Sequence, residues 1–158
     1  MRKNTRTPAA TAMTDAVLAL FRASSGLIAG GDRLVAQLGL TSSRWQVLGT
    51  IVAAQRPQPV AWLARDMGAN RQNVQRVVND LVREGFVAMS PNPHHRRASL
   101  VVLTEKGREA FNQAMALATP WMNRLTSSIK VEDIEAMQRV LASLRARLED
   151  ETNIAKVA

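Results

Sequence analysis

The chain has 158 residues, 21 Lys and Arg against 13 Asp and Glu, two His and no Cys, for a formal charge of +8 and a pI near 11.4. One domain with a real core fits that length, and the missing thiols exclude a disulfide scaffold, thiolate zinc, iron–sulfur ligation and thiol redox switching. With 46% apolar residues, no apolar run longer than Ala16–Phe21 and no apolar stretch behind the basic N-terminus, wholesale disorder, a membrane span and a secretory signal are all disfavoured.

A soluble, cytoplasmic protein without membrane partners is therefore expected, and one too basic for its size. The excess charge is uneven: residues 1–40 carry a net +3, residues 41–106 carry +5, and residues 107–158 are neutral. A basic middle beside a neutral C-terminal third points to different partners for different surfaces. A polyanion such as nucleic acid is the first candidate for the middle, against a merely solvated surface.

Residues 1–11, polar and without periodicity, read as a mobile basic tail. From Thr14 on, Val17, Leu18, Phe21, Leu27, Ile28, Leu34, Val35 and Leu38 recur at mostly helical spacings, so residues 12–40 form a helical segment. Gly26, Gly30 and Gly31 either break it or let something approach the backbone closely. Gly39 ends the segment, and Thr41 or Ser42 caps a helix to about Ala54 that carries Trp45, Val47, Leu48, Ile51 and Val52. Pro57 and Pro59 follow.

Val60, Leu63, Ala64 and Met67 share one face of a short helix, Gly68 turns the chain, and Asn70 caps the next helix, which runs to about Glu84. That helix is apolar at Val74, Val77, Val78, Leu81 and Val82. Its opposite face presents Arg71, Gln72, Gln75, Arg76, Asn79 and Arg83. Gly85 stands where a left-handed residue ends a helix. The period then changes: 86–89 and 99–103 read as two strands around a turn-rich basic tip, Ser90-Pro91-Asn92-Pro93-His94-His95-Arg96-Arg97. Thr104 caps a helix with Phe111, Met115, Ala118, Met122 and Leu125 spaced 4, 3, 4, 3, in which Pro120 predicts a kink. A last helix, about Val131 to Asp150, sets Ile134, Met137, Leu141, Leu144 and Leu148 in a heptad-like seam that calls for another helix against it.

Two short helices joined by a Gly turn, followed by a basic hairpin, make a winged helix-turn-helix in a mainly α chain, with a two-stranded wing. Arg71, Gln72, Asn73, Gln75, Arg76 and Asn79 supply the amide and guanidinium forks that read adenine and guanine edges in the major groove of double-stranded DNA. His94, His95, Arg96 and Arg97 form a wing tip suited to the narrower groove or the backbone.

The order Gly39-Leu40-Thr41-Ser42-Ser43-Arg44-Trp45-Gln46-Val47-Leu48, then Leu63-Ala64 leading to Asn70-Arg71-Gln72-Asn73-Val74, then Leu81-Val82-Arg83-Glu84-Gly85-Phe86-Val87, resembles the MarR family of transcriptional regulators. The most specific part is Asn92-Pro93-His94-His95-Arg96-Arg97 running into Leu103-Thr104-Glu105-Lys106-Gly107. The resemblance spans about residues 14–150. It implies a homodimer with interlocking N- and C-terminal helices and two winged heads on a pseudo-palindromic operator. Many members repress genes and release DNA when a small molecule binds. On this basis residues 1–11 are the tail, 12–40 the N-terminal dimerisation helix, 41–106 the DNA-binding domain and 107–151 the C-terminal dimerisation helices. The expected interface comprises Val17, Phe21, Met122, Leu125, Ile134, Met137, Leu141, Leu144 and Leu148.

Two positions depart from the family pattern. His95 stands where the wing usually has an Asp that buttresses Arg97; a neutral His can accept from Arg97, whereas a protonated one repels it. Arg44 replaces the commoner Gln beside Trp45, as a phosphate contact or part of a ligand pocket. Ser24, Ser25, Arg44, Trp45 and Met115 are the candidate lining of an effector pocket, for a small aromatic or anionic molecule. At helical spacing, however, Met13, Met115, Met122 and Trp121 also suit a core or dimer interface.

Competing chemistry is thin. Adjacent His94 and His95 point to opposite sides of a strand and lack further ligands, so no metal is expected. Gly30-Gly31 lacks the context of a phosphate loop, and nothing forms a catalytic constellation, so neither a cofactor nor an enzyme is expected. The alternative is a winged-helix module that binds ligand or protein without reading a specific site, and it would bind all DNA weakly with a steep salt dependence. A PadR-like regulator shares the winged head, but the long helical segment before residue 41 argues against it.

Overall fold

The structure, a computed structural model, describes residues 5–95 and 97–157, and divides into two compact units, one up to Ala118 and one from Thr119 on. In the first unit α1 spans Pro8–Val35, with Thr7 as its N-cap: the Thr7 hydroxyl accepts from the Ala10 N–H at 3.1 Å. Pro8 opens the helix because its fixed φ suits that position and its missing N–H is not needed there. The helix thus begins inside the stretch expected to be a tail, of which residues 1–4 lie outside the described residues.

Gly26, Gly30 and Gly31 do not break α1. Gly31 serves close approach instead. A Cβ there would lie 2.6 Å from the Ser42 hydroxyl, which donates to the Ile28 carbonyl at 2.8 Å, while the Ser42 N–H donates to Asp32 Oδ1 at 2.6 Å. A single 3₁₀ turn, Ala36–Leu38, and Gly39 at φ +69° then reverse the chain.

The winged head follows. Helix α2 is Ser42–Ala54, capped by Thr41, whose hydroxyl accepts from Arg44 N at 3.3 Å. Strand β1 is Gln58–Pro59, α3 Val60–Asp66, α4 Arg71–Arg83, β2 Val87–Ser90 and β3 Leu100–Leu103. Asn70 Oδ1 accepts from Gln72 N at 2.8 Å, and Gly68 and Gly85 take φ +62° and +76° at the two ends of the turn–helix unit. The strands form an antiparallel sheet in the order β1-β3-β2. The expectation of a two-stranded wing misses β1, which is only two residues long and ends in Pro59; on a sheet edge the absent proline N–H costs nothing.

Leu48, Leu63, Val78, Leu81 and Val101 are fully buried at the centre of the head, with Val35 of α1 among them. Helix α5, Glu105–Thr126, starts on this core. On α5 the buried residues are Gly107, Ala110, Ala114 and Ala118, the last of which belongs to the expected stripe; Phe111 is partly buried, and Met115, Met122 and Leu125 are exposed in the single chain. Small residues let the helix sit close, so the larger neighbours point elsewhere. Pro120 lies within an unbroken helical run.

The second unit holds the end of α5 and α6, Val131–Val157, which runs past the expected end near Asp150. On α6, Ile134 and Leu144 are half-buried, while Met137, Leu141 and Leu148 are exposed.

Candidate nucleic-acid interface

Helix α4 has two chemically opposite faces. Val74, Val78 and Leu81 are at most 3% exposed and lock it to the core, whereas Arg71, Gln72, Asn73, Arg76 and Asn79 are exposed and Gln75 is half-buried. The face is loosely pre-ordered. Gln75 Nε2 donates to Asn79 Oδ1 at 2.9 Å, and Arg76 Nη2 to Asn73 Oδ1 at 3.5 Å. Such solvent-exposed pairs exchange readily for partners on base edges.

The wing tip is stapled by Asn92, whose amide donates to the Ala98 carbonyl and whose Oδ1 accepts from His94 N, both at 3.0 Å. Backbone bonds from His95 N to Asn92 O at 3.3 Å and from Ala98 N to His95 O at 3.0 Å complete the turn. His94, His95 and Arg97 are exposed; Arg96 lies outside the described residues. Among the described residues no hydrogen bond joins the His95 ring to Arg97. Asn92 shapes the tip, and an Asn that accepts and donates across a Pro-rich turn is a signal readable from sequence.

Arg44 has a role that neither expectation for it contained. It donates to the Gly39 carbonyl at 3.0 Å, pairs with Glu84 at 2.8 Å and reaches Asp80 at 4.0 Å, with its side chain 19% exposed. It therefore straps the C-terminal turn of α4 to the start of α2. The same end of α4 is held from α5. The Thr104 hydroxyl lies 2.7 Å from the Gly85 carbonyl and 2.9 Å from that of Phe86, and accepts from Gly107 N at 3.1 Å. Lys106 Nζ donates to the Glu84 carbonyl at 2.7 Å and sits 4.5 Å over the Phe86 ring. A cation on the last carbonyls of a helix complements its dipole. Gly107 is required by crowding, since a Cβ there would fall on the Phe86 carbonyl oxygen. Thr104, Lys106 and Gly107 are thus the joint between α4 and α5.

The other expected sites are more scattered. Ser24 and Ser25 are exposed on α1, with Ser25 donating to the Phe21 carbonyl at 3.0 Å; Trp45 is half-buried against the core and Met115 is exposed on α5. Two clefts open on the first unit. One of about 520 Å³ is lined by Gln46, Gly49, Thr50, Ala53, Asp66 and Met67, and one of about 320 Å³ by Ile51, Arg56, Val101, Leu103 and Arg108 among others. None of the five expected pocket residues lines either cleft. Of the expected dimer contacts, Val17, Ile134 and Leu144 are half-buried, and Phe21, Met122, Leu125, Met137, Leu141 and Leu148 are exposed in the single chain.

Known proteins agree with this geometry. The chain is 35% identical over 131 residues to an uncharacterized protein of Mycobacterium tuberculosis, covering 80% of this chain and 90% of that one. It is 35% identical over 97 residues to the transcriptional activatory protein BadR of Rhodopseudomonas palustris, covering 58% of this chain and 54% of BadR. The crystal structure of the M. tuberculosis transcriptional regulator MosR in complex with DNA matches with a TM-score of 0.73 at 26% identity, over 85% of this chain and 96% of MosR. Residues 38–98, which contain α2, the helix-turn-helix and most of the wing, match the MarR family directly. A buried apolar seam beneath an exposed basic helix, a stapled wing and these likenesses lead to one assignment: the chain belongs to the MarR family of winged-helix, DNA-binding transcriptional regulators.

Proposed function

We propose that this regulator reads a specific, pseudo-palindromic operator as a homodimer in the cytoplasm and represses transcription until a small aromatic or anionic effector binds. The observation that carries the reading is α4, whose apolar seam is sealed while Arg71, Gln72, Asn73, Arg76 and Asn79 remain free of the core. Asn70 leaves the helix start facing outward, where unsatisfied N–H groups favour a phosphate. Dimerisation is supported by the exposed apolar residues of α1 and α6, which a second copy of the chain would cover. Two recognition helices set about 34–36 Å apart then meet successive major grooves. An effector seated beside Ser24 and Ser25 changes that spacing only if it binds the altered state better.

The test is selection of bound fragments from the source genome, followed by titration of the selected and random duplexes. A specific reader should prefer its operator by ~10³-fold or more at physiological salt, and Arg76→Ala should remove about 1–3 kcal/mol of that preference. Equal weak binding to every sequence would favour the non-specific module instead. A reporter driven from the selected promoter separates repression from the activation that BadR's name carries.

A further inference from the structure

On α3, Val60, Leu63 and Ala64 are buried, yet Trp62 between them is 42% exposed. Much of its indole ring therefore lies at the surface, within reach of other side chains and of solvent. Two cations stand over its ring: the guanidinium carbons of Arg56 and Arg65 each lie 5.5 Å from the ring centroid. Stacking fixes the plane of a guanidinium while leaving its charge and its fork of N–H donors for something else. The one carboxylate at hand is weakly engaged. Arg65 Nε is 3.4 Å from Asp66 Oδ1 in an exposed pair, and Asp66 also accepts from Gln58 Nε2 at 3.2 Å.

The cluster is placed by the sheet. Leu100 of β3 pairs with Pro59 on one side and with Ser90 on the other. Helix α3 therefore leaves the sheet at the same end from which the wing tip projects, and it leads through Gly68 into the capped start of α4. Trp62 stands in the first turn of α3 and Arg65 one turn on, in the helix that starts at the wing-tip end of the sheet and precedes α4.

We infer that Arg56, Trp62 and Arg65 form a phosphate clamp: two guanidiniums pre-set on an indole grip the DNA backbone beside the helix that reads the bases. The inference rests on the DNA-binding reading above. The occupant follows from charge, since two arginines outweigh one shared aspartate in residues 41–106, the segment of largest net charge. It follows also from shape, since a planar fork fits a phosphate bidentately and a single exposed ring is no apolar groove for a protein partner.

The first measurement needs no operator. A mixed-sequence duplex of about 40 base pairs, long enough for two half-sites one turn apart, is titrated over a series of salt concentrations. Arg56→Gln with Arg65→Gln should lower the slope of log affinity against log salt by roughly 1.8 for each bound protomer, ~0.9 for each phosphate that is no longer neutralised. It should weaken mixed and genome-selected sequences by the same factor. Arg56→Lys with Arg65→Lys should keep the slope, and Trp62→Leu should weaken binding where Trp62→Phe restores it, with melting curves confirming the fold throughout. An unchanged slope in the Gln variant, beside normal binding by the parent, overturns the clamp and leaves the DNA reading standing. A parent protein that binds no duplex defeats that reading and the clamp with it. Unchanged DNA binding with altered control of transcription by added RNA polymerase, from a genome-selected promoter, makes the patch a protein contact, which also overturns the clamp.

Discussion

In the winged head, Leu48, Leu63, Leu81 and Val101 are wholly buried, whereas Leu18, Phe21, Leu27 and Ile28 on α1 and Met137 and Leu148 on α6 are 46–63% exposed. Completing the burial of a large apolar side chain is worth up to ~1.5–3 kcal/mol. The head has made its gain within one chain, and the terminal helices have most of theirs still to make. Helix α1 is even long and apolar enough, by length and composition alone, to cross a membrane. Its hydrogen-bonded contact with Ser42 ties it to the head, and a second copy of the chain accounts for its outer face in the reading proposed above.

The contrast is broken most severely from the α6 side. Leu141→Asp with Leu144→Asp should leave a monomer or an unfolded chain, because a buried unpaired carboxylate costs several kcal/mol. Light scattering that shows a well-folded dimer would remove α6 from the interface. On the head side, Gly107→Ala should destabilise by about 2–3 kcal/mol and lower Tm by roughly 4–12 °C through collision with the Phe86 carbonyl, with oligomeric mass unchanged. Normal melting would show that the joint yields. The smallest effect is expected for Arg44→Met, about 1–2 kcal/mol by denaturant titration, since its partners Glu84 and Asp80 are partly exposed and solvent screens them. A loss of DNA affinity beyond that stability change would show that the strap also aims α4.

Most of the head was legible from local chemistry. Thr41, Asn70 and Gly85 are cap residues whose preferences are set within a few bonds, and the apolar period of Val74, Val78 and Leu81 needs only a core on one side. What the sequence left open or missed was set by distant contacts. The choice between a break and a close approach at Gly31 is decided by Ser42, eleven residues on, which needs its space. Arg44 meets a partner forty residues away, and β1 exists only because Gln58 and Pro59 lie beside Val101 and Leu100. In α5 the stripe of Phe111, Met115, Ala118, Met122 and Leu125 did not single out Ala110 and Ala114, which close packing buries. The start of α1 was nearer to hand: a Thr before a Pro is a cap followed by a first-turn residue, and the polar composition of the first eleven residues obscured it.

The knot of Thr104, Lys106 and Gly107 on the carbonyls of Glu84, Gly85 and Phe86, just past the end of α4, has a mechanical side. Helix α4 has 13 residues, so its far tip lies about 20 Å from that knot at ~1.5 Å per residue. Angular play of about 10° there would sweep the tip through roughly 3.4 Å, the distance from one base pair to the next. In the DNA-reading role proposed above, the stiffness of this joint and the buried seam of Val74, Val78 and Leu81 keep α4 in step with the base pairs.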